Sequence, residues 1–157
     1  MATRSRIGIV NEDGTVSSIY CHWDGYPSNN GRILVDHYTD REKVKKLVEL
    51  GSISFLKENV SPYDPHKSIE NDKVRDILDR YNPIEKHSFQ NPQPGVTVAY
   101  HRDRGEEYIK PRINSSLEEY LDDDNEEYGY VFTLEGEWIV RPCYGDVTVR
   151  PVNEVLA

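Results

Sequence analysis

The sequence predicts an α+β fold in which a roughly six-stranded, mostly antiparallel sheet is covered by about three helices, all within a single domain of residues 1–157. Three observations lead there. Strand-like apolar segments gather at the N-terminus and again in the C-terminal third, while helical periodicity occupies the middle. These elements do not alternate as β-α units, which argues against a doubly wound sheet. A chain of 157 residues with eleven Tyr and two Trp also carries enough aromatic surface for one packed core, despite its polarity.

The first element is a hairpin over residues 6–23. Ile7, Ile9 and Val10 precede Asn11-Glu12-Asp13-Gly14, and Val16, Ile19, Tyr20 and Cys21 follow; Asp-Gly supplies the positive φ of a tight turn. Asp24-Gly25-Tyr26-Pro27-Ser28-Asn29-Asn30-Gly31 then reads as a loop, because its turn formers oppose regular structure. Thr39 and Glu42 have capping-box spacing, Val44, Leu47 and Val48 share a helical face, and Gly51 supplies a left-handed stop. After a loop at Ser61-Pro62-Tyr63-Asp64-Pro65, the spacing of Val74, Ile77, Leu78 and Tyr81 predicts a second amphipathic helix, ended at Pro83.

Asn91-Pro92-Gln93-Pro94-Gly95 leads into a predicted strand, Val96-Thr97-Val98-Ala99-Tyr100. Ser116 and Glu119 would cap a short helix through Leu121. Residues 128–134, a turn at Glu135-Gly136, residues 138–141 and residues 147–152 complete the β structure.

Charge is distributed unevenly. The net charge is −9, from 19 basic and 28 acidic residues, and residues 113–140 hold nine carboxylates without a Lys or Arg. Within this segment Asp122, Asp123, Asp124, Glu126 and Glu127 are the candidate partner-binding residues. Such a surface repels phosphates, so direct nucleic-acid binding is not expected on it. Most acidic runs are solvated faces; held on a rigid scaffold, however, the same carboxylates would attract and steer a basic partner.

Two clusters could hold a small ligand. In Tyr20-Cys21-His22-Trp23-Asp24, a strand would point His22 and Asp24 to one side, and with His37 or the pair His101 and Asp103 the spacing permits a divalent cation. The spacing does no more than permit it, and neither a metal nor a cofactor is expected. In His101-Arg102-Asp103-Arg104-Gly105, the forks of Arg102 and Arg104 are suited to a phosphate or carboxylate, although the neighbouring acids would neutralise them as readily. Cys21 and His22 cannot form a dyad, since adjacent strand residues point to opposite faces.

No stretch approaches the roughly 18 apolar residues of a membrane span, and two cysteines, Cys21 and Cys143, make no secreted disulfide framework. Free thiols and a cytoplasmic location are expected.

Ile19-Tyr20-Cys21-His22-Trp23-Asp24-Gly25-Tyr26-Pro27, Asp36-His37-Tyr38 and Val98-Ala99-Tyr100-His101-Arg102-Asp103-Arg104-Gly105-Glu106 together resemble segments of small proteins, without an assigned activity, encoded by tailed bacteriophages and prophages. The resemblance covers about the N-terminal two-thirds of the chain. It implies an accessory protein acting in the host bacterial cytoplasm, where such proteins often bind and inhibit a defence or regulatory factor. The leading expectation is therefore a non-enzymatic phage accessory protein that captures a host macromolecule with a basic nucleic-acid-binding surface. The alternative is a protein that binds or hydrolyses a nucleotide signal, using His22, Asp24, His101, Arg102 and Arg104.

Overall fold

A computed structural model describes residues 2–62, 69–81 and 87–157 of the chain. Part of the loop expected at 61–65 and the stop at Pro83 lie outside these residues.

Among the described residues, eight strands form one mixed sheet, in the order β4 (Val98–Ala99), β3 (Ile53–Phe55), β2 (Val16–Cys21), β1 (Ser5–Val10), β6 (Tyr128–Phe132), β7 (Trp138–Pro142), β8 (Arg150–Pro151), with β5 (Arg112–Asn114) also paired to β2. β1 (Ser5–Val10) and β2 (Val16–Cys21) are the expected hairpin. Gly14 closes its turn at φ 88°. The sheet departs from the mostly antiparallel expectation at its centre, where β6 (Tyr128–Phe132) lies parallel to β1. β3 (Ile53–Phe55) is also parallel to β2, and pairs antiparallel with β4 (Val98–Ala99). β7 (Trp138–Pro142) forms the expected C-terminal hairpin with β6, and β8 (Arg150–Pro151) borders it.

Strand alternation sorts the core into two layers. Ile7, Ile9, Ile19, Cys21, Tyr130, Phe132, Trp138 and Val140 belong to the larger one. Three helices supply its other wall: α1 (Arg32–His37), α2 (Arg41–Glu49) and α6 (Val152–Leu156). Val10, Val16 and Val131 form the smaller layer with Tyr120, under α5 (Leu117–Asp122).

Several segments differ from expectation for local reasons. The turn-rich stretch after Tyr26 does not remain a loop: Pro27–Gly31 forms a wide π-type turn that runs directly into α1. Buried Asn30 ties that turn to the sheet, its amide donating to Ser5 Oγ at 3.3 Å and Cys21 Sγ at 3.5 Å. In α2 the cap is Asp40, one residue beyond Thr39, and it accepts from the Glu42 amide. Gly51 ends the helix region at φ 76° as expected. The strand expected at 96–100 stops at Ala99, and Tyr100–Arg104 becomes a helical turn, α4. The strand expected at 147–152 is likewise reduced to β8 and passes into α6. β3 and β5 (Arg112–Asn114) are additional to the expected set.

α3 (Asp72–Tyr81) forms where periodicity places it, yet it buries none of its residues; Ile77 is 54% exposed and Tyr81 73%. Among the described residues no helix is long and apolar enough to cross a membrane, and Cys21 and Cys143 are free thiols.

Candidate functional site

The acidic segment is built on α5. Ser116 caps that helix by accepting from the Glu119 amide at 3.1 Å, and Glu119 in turn accepts from the amide and hydroxyl of Ser115. Tyr120 reaches through the smaller core layer, its hydroxyl donating to the Tyr130 carbonyl at 2.7 Å. The following loop turns back under Asn125, whose amide donates to the Tyr120 carbonyl at 2.7 Å. Arg112 donates to the side chain of Asn125 and to the carbonyl of Asp124, while Arg141 donates to the Leu121 carbonyl. The segment is therefore a braced part of the fold.

That bracing divides the five candidate carboxylates by role. Asp123 accepts from Asn114 at 2.9 Å and lies 3.5 Å from Arg112; the Asn114 bond, with the Asp124 amide and Arg112, holds its carboxyl below the ordinary range. Asp124 accepts from the Glu126 amide. Glu126 lies 3.8 Å from Arg4, and Glu127 accepts from the Arg4 amide at 3.0 Å. Asp122 is exposed and, among the described residues, its carboxylate engages nothing; the same holds for Glu118 one turn earlier. Glu135 and Glu137 lie beyond the opposite end of β6, a five-residue strand, so roughly 13 Å of backbone separates the two acidic groups.

Sequence reasoning missed the arginines beneath this loop. Arg4 and Arg6 enter β1 on the side away from the main core, and Arg6 donates to the Ser18 side chain at 3.1 Å and carbonyl at 3.0 Å. Burial, and then the charge of Arg112, push the Arg6 pKa down. Arginine at alternate positions of an otherwise apolar strand was the available signal. What it meant depended on a loop more than a hundred residues away, since Arg4 and Glu127 are 123 residues apart.

The two ligand clusters are each engaged separately. Tyr20 of β2 meets His22, the first residue past the strand's end, its hydroxyl lying 2.6 Å from His22 Nδ1. Asp24 does not join them: it falls further past the strand end at φ 56°, and its carbonyl accepts from Asn29. His101 and Asp103 are on helical α4, where two residues of separation turn side chains well apart. His101 Nδ1 lies 2.7 Å from the Glu106 carbonyl, and its ring packs edge-on against Tyr108. Arg102 is tied to both oxygens of Asp103 and to the carbonyls of Val60 and Thr97. Arg104 lies 3.4 Å from Glu106 and over the Phe89 ring.

Among the described residues no contact joins the His22 cluster to the His101 cluster, and no three His, Cys, Asp or Glu side chains are gathered to hold a metal ion. Burial raises the Cys21 thiol to about 11, which leaves it protonated and a poor nucleophile at neutral pH. No protein-family model, curated protein or solved structure compared with this chain matches it.

Proposed function

We propose that the chain is a phage accessory protein that binds a basic host macromolecule, a nucleic-acid-binding component of a defence system, through the α5 face and the loop that follows. The observation that carries this reading is the pairing of a rigid mount with unengaged charge. α5 is fixed by Ser116 and Tyr120, and on it Glu118 and Asp122 stand exposed one turn apart with no internal partner among the described residues. Carboxylates held in this way require little ordering on binding and attract a cationic surface from a distance. Asp124 extends the face and, like Asp123, Glu126 and Glu127, also secures the loop.

The test uses the full chain immobilised against a bacterial lysate. The expected catch is DNA-binding proteins, released by added duplex DNA and by raising ionic strength past the range where charges act over about 10 Å. Glu118→Lys together with Asp122→Lys should abolish capture with little change in the urea midpoint, because losing the carboxylate in the first turn of α5 is offset by gaining a cation in its last turn. Capture that survives this double substitution, or that duplex DNA does not displace, refutes the reading.

A further inference from the structure

Away from the acidic face, a cleft of 430 Å³ opens between the end of β3 and the 92–98 segment, walled by Phe55, Lys57, Pro92, Pro94, Val96 and Val98. Its size lies within the roughly 300–1,000 Å³ typical of small-ligand sites. Its aromatic wall is backed from behind: Trp23, which does not line the cleft, stacks on Phe55 with ring centroids 5.9 Å apart and planes 12° from parallel. The other wall is firm, since Val96 and Val98 are each only 4% exposed.

Lys57 supplies the polarity. Its backbone is pinned at both groups: the amide donates to Thr97 Oγ1 at 3.0 Å, and the carbonyl accepts from the Tyr38 hydroxyl at 2.7 Å. Its ammonium lies over Phe55, 5.6 Å from the ring centroid, and pairs with no carboxylate among the described residues. In a chain of net charge −9, this is a cation at the mouth of a mainly apolar cleft whose lining also includes the side chain of Gln93. Glu58 lies beside Gly95 on another part of the rim, which confines an anion to the Lys57 side.

We infer that this cleft binds a small anionic ligand with a flat ring, of the nucleoside monophosphate class. The base takes the place of the lysine tip against Phe55, and the flexible Lys57 arm swings from the ring to the phosphate. A weak cation–π contact is thereby exchanged for a charge-assisted hydrogen bond, and the aromatic face is covered by a second π-system. The site uses none of the His22, His101, Arg102 or Arg104 side chains, and it does not depend on the acidic face.

The probe is adenosine 5′-monophosphate, titrated into the full chain and followed by chemical shifts of the Trp23 indole, the Phe55 ring and the Val98 methyls. Saturable shifts at these groups are expected, with adenosine about tenfold weaker and ribose 5-phosphate silent at millimolar concentration. Lys57→Gln should bring the monophosphate down to the level of adenosine. Phe55→Leu, which keeps an apolar side chain in the wall, should weaken both by about tenfold. The Glu118→Lys/Asp122→Lys chain should bind as the unaltered one does, so the two sites stand or fall separately. Absence of shifts at the three groups, equal response to ribose 5-phosphate, an unchanged preference in Lys57→Gln, or tighter binding of a short single-stranded oligonucleotide would overturn the proposal.

Discussion

Asn125 packs its side chain directly against the Cα of Gly129, so closely that a β-carbon on residue 129 would lie 2.9 Å from both Asn125 Cβ and Nδ2. The contact seats the acidic loop on the sheet. Adding a methyl group there forces the loop or β6 to shift, an overpacking that costs about 1–3 kcal/mol. Gly129→Ala should lower the urea midpoint accordingly and speed amide exchange across residues 123–127.

Removing the Tyr120 hydroxyl tests the brace from the other side. Tyr120→Phe keeps the ring in the smaller core layer and deletes only the bond to the Tyr130 carbonyl. A loss of about 1 kcal/mol in chemical denaturation is expected, with the acidic face weakened in capture only as far as α5 loosens.

Acid should destabilise the protein partly through this same loop. Asp123 has a folded pKa below its ordinary 3.8, chiefly through Asn114, and Glu119 lies below its ordinary 4.5, chiefly through Ser115. A depressed carboxyl contributes its full stability above the unfolded value and loses it as pH falls toward the folded one. Stability should therefore decline below about pH 4.5 through these groups. Asp123→Asn should start lower at neutral pH and decline less steeply, as measured by urea midpoints across the acid range.

The two thiols should separate cleanly. Cys21 is fully buried with its pKa raised to about 11, whereas Cys143 is only partly buried. A thiol-exchange reagent at pH 8 should modify Cys143 in the native protein and reach Cys21 only on unfolding. Rapid modification of both would contradict the packing of Asn30 over Cys21.

Amphipathic spacing and burial part company in the two longer helices. Leu47 of α2 is fully buried, so Leu47→Ala should cost about 2–5 kcal/mol. Ile77 of α3 is 54% exposed, so Ile77→Ser should change stability by no more than about 0.5 kcal/mol. The same heptad-like pattern thus predicts a helix in both places and a core contact in only one.

What could be read from residue order was whatever local chemistry decides. Asp13-Gly14 marks the hairpin turn, and Ser116 with Glu119 marks the start of α5. The helix beginning at Pro27 was hidden because Asn29, Asn30 and Gly31 are ordinary turn formers, and the bonds from Asn30 to Ser5 and Cys21 that tie the turn to the sheet join residues distant in the chain. β3 and β5 are three residues long, too short to show a period. Residues 100–104 and 152–156 have strand-compatible beginnings but leave the sheet as helices. In the site, the density of carboxylates was visible while their division into bracing and unengaged groups was not, because Arg4 and Arg112 reach them only through the tertiary fold.

The parallel placement of β6 beside β1 also governs how the chain must assemble. The opening hairpin can form at once from neighbouring residues, but one edge of β1 stays open until β6, the distant strand that completes the central sheet, arrives. Bringing together segments so remote is slow relative to local pairing. During synthesis that edge would stay exposed until residues 128–132 have been made, a window in which a chaperone or another nascent strand can occupy it.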